Sequence, residues 1–130
     1  MNLELKGKNA IITGASRGIG RSIAETFAEE GVNVAICARG EEALRSTAKE
    51  LLKKGVKVYA ESCDIGDTEK FEAFLDKVKS EFGSVDILVN NVSALSLGEE
   101  YSNWEASINI DLLASIRATQ KVVPWMIKSG

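Results

Sequence analysis

Thr13-Gly14-Ala15-Ser16-Arg17-Gly18-Ile19-Gly20 lies between an apolar run and an amphipathic stretch, and its residue types suit one kind of chemistry, the holding of phosphate. Glycines at 14, 18 and 20 can take positive φ and leave no side chain in the path of a pyrophosphate. Such a turn works when a helix starts at its end, because the first backbone N–H groups lack partners and the helix dipole is positive there. The flanks meet that condition. Asn9–Thr13 reads as a short buried strand, and Ile19, Ile23, Ala24, Phe27 and Ala28 recur at helical spacing, with Gly31 as the stop. A P-loop is excluded: matching Gly20-Arg21-Ser22 to its end would need glycine where Ala15 stands and lysine where Arg21 stands. The alternative is an ordinary tight turn whose glycines serve packing.

The spacing T-G-x-x-x-G-x-G resembles the cofactor fingerprint of the short-chain dehydrogenase/reductase family. The wording TGASRGIGRSIAETFAEEG is most similar to 3-oxoacyl-acyl-carrier-protein reductases and related carbonyl reductases. The resemblance implies a Rossmann-type fold, with Gly14, Ser16, Arg17, Gly18, Ile19 and Gly20 binding a nicotinamide dinucleotide. It covers the whole chain and stops halfway through the family's usual length.

The end of the second predicted strand selects the cofactor. An NAD site places a carboxylate there for the ribose 2′-OH. This chain has Ala38-Arg39-Gly40, with no acid before Glu41. Arg39 offers a planar donor fork for a 2′-phosphate, and by resemblance its pairing with Arg17 goes with NADP(H). The missing acid also argues against an adenosyl-methionine site. After the third strand, Cys63-Asp64-Ile65 matches the family position that meets the adenine, so Asp64 and Ile65 are candidates; the alternative for Asp64 is a turn residue. After the fourth, Asn90-Asn91-Val92-Ser93 resembles the family's N-N-A-G with serine for the glycine. By resemblance Asn91 sits beside the cofactor and Asn90 ties strands together; without it, paired asparagines are a turn.

Catalysis is where the chain departs from the family, whose active site is a Ser, a Tyr, a Lys four residues after that Tyr, and a helical Asn. The Lys and the cofactor ribose lower the Tyr pKa, so that it can pass a proton to a carbonyl oxygen. Here Tyr59 is followed four residues on by Cys63, and Tyr101 by Glu105, so neither is that Tyr. The family's W…N…TQ…P framework, aligned on Trp104, Thr119, Gln120 and Pro124, puts the Asn position at Asp111 rather than Asn109. Ionised Asp111 can accept hydrogen bonds there but cannot donate them; the alternative is a helix-surface carboxylate.

The elements that must position these residues alternate. Val32–Ala38, Val56–Ala60 and Val85–Val89 read as further strands, and Glu41–Lys54, Asp67–Phe82 and Trp104–Ser129 as helices, with Asp67 a cap and Gly55 and Gly83 stops. Strands separated by helices imply right-handed crossovers and a parallel sheet. The fold class is therefore α/β, a doubly wound parallel sheet of strand order 3-2-1-4 forming the N-terminal half of the family's fold, over residues 1–130 as one cofactor-binding domain.

Composition narrows the partners. Sixteen basic against nineteen acidic residues give a net charge of −3, so no broad basic face for nucleic acid is indicated. No apolar run approaches a membrane span, and Met1–Lys8 lacks a signal-peptide core. The chain has two cysteines, Cys37 and Cys63, and no histidine, which argues for buried small hydrophobes and against a disulfide framework or zinc site. A cytoplasmic protein is expected. The expected function is NADP(H)-dependent interconversion of a small-molecule carbonyl and its alcohol, with this stretch carrying the cofactor half and inactive alone. The alternatives are a nucleotide-binding module without chemistry and an oligomerising structural fragment. The final helix carries Ile108, Leu112, Leu113, Ile116, Val122, Val123, Trp125 and Met126 on more than one face, so homo-oligomerisation through it is expected.

Overall fold

The computed structural model describes residues 3–16, 18–92 and 100–129. Arg17 and Ser93, both singled out above, lie outside them. The chain alternates β1 (Asn9–Thr13), α1 (Gly18–Glu29), β2 (Asn33–Ala38), α2 (Glu41–Leu52), β3 (Val58–Ser62), α3 (Thr68–Phe82) and β4 (Ile87–Val89). A last helical run comprises α4 (Tyr101–Ser107), a π-helical segment (Ile108–Leu113) and α5 (Ala114–Ser129). All strand pairs are parallel, in the order β3-β2-β1-β4. The expected doubly wound sheet is the one observed.

The sheet is covered on both faces, which explains why β1 is buried at every position and β2 at all but its first, rather than in alternation. Ile11, Ala35 and Cys37 pack with Phe71, Phe74 and Leu75 of α3 and Ala114, Ala118 and Val122 of α5. Their neighbours Ala10, Ile12, Val34 and Ile36 point the other way, onto Ala24 and Ala28 of α1 and Leu44 and Leu51 of α2. Helix ends follow local chemistry. The Asp67 carboxylate accepts from the Lys70 N–H at 3.2 Å, and Gly31, Gly55 and Gly83 have φ near +80° (83, 84 and 79) where helices stop.

Several boundaries differ from the sequence reading; β2 starts at Asn33 rather than Val32, and α2 ends at Leu52 rather than Lys54. β3 lies two residues later than Val56–Ala60, because its ladder runs from Val34↔Val58 to Ala38↔Ser62 and a slip of two residues preserves the alternation. β4 starts at Ile87, although Val85 is fully buried. The final helix begins earlier, at Tyr101, and widens at Ile108–Leu113, where the Ala114 N–H reaches back to the Asn109 carbonyl. Such wide turns insert a residue into a helix and are frequent at functional sites.

Candidate functional site

The carboxyl ends of all four strands open onto one cleft of about 500 Å³. Gly14 and Ser16 come from the turn after β1, Ala38, Arg39 and Gly40 from the end of β2, Cys63, Asp64 and Ile65 from beyond β3, and Val92 from beyond β4. Ala106 and Ile110 of the final helical run form the remaining wall. The order reverses between β1 and β4, and an open parallel sheet presents its crevice there.

The turn is tied down from both sides. Thr13 Oγ1 accepts from the Asn91 N–H at 3.0 Å, and Asn91 Nδ2 donates to the Gly14 carbonyl at 3.1 Å, while the Gly14 N–H donates to the Cys37 carbonyl at 2.9 Å. From α2, the fully buried Thr47 donates its hydroxyl to the Ser16 carbonyl at 2.8 Å. The glycines answer to different constraints. Gly14 has φ +67°, and a Cβ there would lie 2.8 Å from Val92 Cγ2. Gly18 has φ +63° with open space around it. At Gly20 a Cβ would run into the Gly14 carbonyl oxygen and come within 2.5 Å of Asn91 Nδ2. The first turn of α1 thus lies directly against the backbone of the glycine turn.

The other walls are set by local bonds. Ser62 Oγ donates to the Arg39 carbonyl at 3.0 Å, holding the chain where β2 ends, and leaves the exposed guanidinium as the one cation among the described residues lining the cleft. The first acid after it, Glu41, is paired with Arg45 one turn along α2 at 2.8 Å. Asp64 Oδ1 accepts from the Gly66 N–H at 2.9 Å, closing a small turn that presents Asp64 and Ile65 to the cleft. Beside it the Cys63 thiol is pushed up to about 11 by burial, reinforced by Glu61, Asp64 and Asp67, so it stays a neutral apolar wall at ordinary pH. Burial likewise pushes up Cys37.

Of the residues singled out in the sequence, Gly14, Ser16, Arg39, Asp64 and Ile65 meet around the cleft. Gly18 and Ile19 face a separate open trough along α1 that ends at Val89. Gly20 and Asn91 lie behind the turn. It is Asn91, not the exposed Asn90, whose side chain ties the end of β4 to the turn. Asp111 is exposed within the π-helical segment and does not line the cleft. Sequence reasoning missed Thr47, Cys63 as a wall, and the Ala106 and Ile110 wall. Thr47 left a trace, a polar residue in the core row Leu44, Thr47, Ala48, Leu51 of α2.

Among the described residues no group of His, Cys, Asp and Glu is disposed to hold a metal, and no helix is long and apolar enough to cross a membrane.

A sequence model of the family described as short chain dehydrogenase matches residues 8–130. The 3-oxoacyl-acyl-carrier-protein reductase FabG of Staphylococcus aureus (strain Mu50) is 38% identical over 126 residues, covering 93% of this chain and 51% of that protein. L-Sorbose reductase from Gluconobacter frateurii, solved with NADPH and L-sorbose, superposes with a TM-score of 0.93 at 35% identity, over 100% of this chain and 51% of that one. NAD+-bound xylitol dehydrogenase superposes at 0.91 with 26% identity, over 97% of this chain and 50% of that one. The chain spans about half the length of the relatives it matches.

Proposed function

Because this chain belongs to the short chain dehydrogenase family, we propose that it is the cofactor-binding half of an NADP(H)-dependent oxidoreductase that interconverts a small-molecule carbonyl and its alcohol. The observation that carries the cofactor choice is Arg39. It is the one cation among the described residues of the cleft wall, and the nearest following acid is turned toward Arg45. A 2′-phosphate suits that guanidinium, whereas a bare ribose hydroxyl would find no carboxylate at the end of β2.

The residues present fit such a group. Gly14 and Gly20 sit where a Cβ would meet neighbouring protein atoms, and Gly18 opens the start of α1, so Gly14, Ser16, Gly18, Ile19 and Gly20 would hold the diphosphate side. Arg39 would take the 2′-phosphate, and Asp64 and Ile65 the adenine. By resemblance to the family, Arg17 would share the 2′-phosphate with Arg39. Asn91 keeps the turn in shape through Gly14. When bound, the nicotinamide supplies or accepts the hydride. On this reading Asp111 stands in for the family's helical asparagine as a hydrogen-bond acceptor, and its place in a π-helical segment supports a role beyond helix surface. Neither tyrosine is followed by lysine four residues on, so these 130 residues alone should show no NADPH oxidation with a carbonyl substrate above a heat-killed control. A nucleotide-binding module without chemistry is the second reading, favoured by that same missing pair.

The reading extends to location and association. The chain works in the cytoplasm and self-associates through its final helical run, where Trp104, Ile108, Leu112 and Ile116 are exposed. Calorimetric titration tests the cofactor assignment: NADPH should bind more tightly than NADH, and Arg39→Asp should reverse the order. Equal affinities before and after the substitution would reject it.

A further inference from the structure

A short polar chain joins the adenine side of the cleft to the final helical run. Asn109 Nδ2 donates to the Gly66 carbonyl at 3.1 Å, and Arg117 Nη1 donates to Asn109 Oδ1 at 3.1 Å. Gly66 does not have the positive φ that would by itself demand glycine. A Cβ there would instead lie 2.7 Å from Ile110 Cδ1, 3.0 Å from Asn109 Nδ2 and 3.1 Å from Asp64 Oδ1. Glycine at 66 therefore serves the close approach of two segments distant in sequence. Both reach the cleft, through Asp64 and Ile65 on one side and Ala106 and Ile110 on the other.

The direction of the amide follows from its neighbours. A guanidinium can only donate, so the amide oxygen of Asn109 must face Arg117, and its nitrogen is left for the Gly66 carbonyl. A carboxylate at 109 could satisfy Arg117 but would set an acceptor against an acceptor at Gly66. The Gly66 N–H in turn holds the Asp64 carboxylate, so the brace passes from Arg117 to the side chain on the cleft wall in three bonds.

We propose that Asn109 is a positioning residue that braces the Asp64–Gly66 turn against the π-helical segment and so preforms the adenine end of the cleft, with Arg117 fixing its orientation. The proposal rests on the dinucleotide reading given above and adds to it a residue outside the cleft wall.

The test uses calorimetric titration of the 130-residue chain with two probes: 2′,5′-ADP, which carries the adenine, and inorganic diphosphate, which does not. Asn109→Ala should weaken 2′,5′-ADP by about three- to tenfold, the span of one neutral hydrogen bond, and leave diphosphate unchanged. Asn109→Asp should weaken it at least as far. Arg117→Gln keeps the Gly66 bond and loses only the orientation, so a smaller loss with the same split between probes is expected; this variant serves if circular dichroism shows that the Asn109 variants do not fold. Equal loss for both probes, or none for 2′,5′-ADP, overturns the brace. If the unaltered chain binds neither 2′,5′-ADP nor NADPH, the dinucleotide reading fails and the brace with it.

Discussion

The three glycines Gly20, Gly18 and Gly40 separate the causes that can demand a glycine, so alanine at each has its own expected cost. At Gly20 the new methyl collides with the Gly14 carbonyl and with Asn91 Nδ2 at 2.5 Å, and the carbonyl belongs to backbone that cannot rotate aside. Overpacking of this kind costs about 1–3 kcal/mol. Displacing Asn91 also loses its bond to Gly14, roughly 1 kcal/mol, and alanine returns about 1 kcal/mol of helix propensity. The net expectation is a loss of roughly 1–3 kcal/mol. At Gly18 there is space but φ is +63°, a conformation that costs an L-residue roughly 1–2 kcal/mol. At Gly40, φ is −79° and nothing lies near, so the substitution should be close to neutral. For a chain of this size each kcal/mol moves the melting temperature by roughly 3–6 °C. Thermal melts followed by circular dichroism should place both Gly20→Ala and Gly18→Ala below the parent and Gly40→Ala level with it. A Gly20→Ala melt within a degree of the parent, or a Gly40→Ala melt as low as that of Gly20→Ala, would refute the geometric argument.

Thr47→Val keeps the buried volume on α2 but removes the donor to Ser16, so a loss of roughly 0.5–1.5 kcal/mol and weaker NADPH binding are expected; an unchanged melt and titration would mean that the hydroxyl does not hold the turn. Ile116→Lys places a charge in the exposed apolar stripe of the final run, and light scattering at micromolar concentration should shift from an oligomer to a 14.0 kDa particle. A parent chain already monomeric there, and unmoved by the substitution, rules out association through this face. The Cys63 thiol is raised in the fold to about 11 from its ordinary 9.0, so its stabilising effect is complete below pH 9 and is lost as pH rises toward 11. The urea midpoint should fall across that window more steeply for the parent than for Cys63→Ala, and parallel slopes would show that this thiol is not linked to folding.

Local chemistry made much of this protein legible in one dimension. The glycine turn, the Asp67 cap, the stops at Gly31, Gly55 and Gly83, and the alternation of short apolar runs with amphipathic stretches each depend on neighbours within a few residues. Right-handed crossovers and the doubly wound rule then give the strand order 3-2-1-4, the one observed. The tertiary structure decided what depends on distant backbone. The limits of β3 follow its ladder with β2, because alternation reads the same after a slip of two residues. Asn91 looks like a turn residue until Gly14, 77 positions away, is seen accepting from it. Gly66 looks like a loop glycine until Asn109 and Ile110 are seen pressing on it, Asn109 from 43 positions away. Periodicity and capping are short-range and leave their marks in sequence; close approach between segments is set by how whole helices and strands pack, and no single residue carries it.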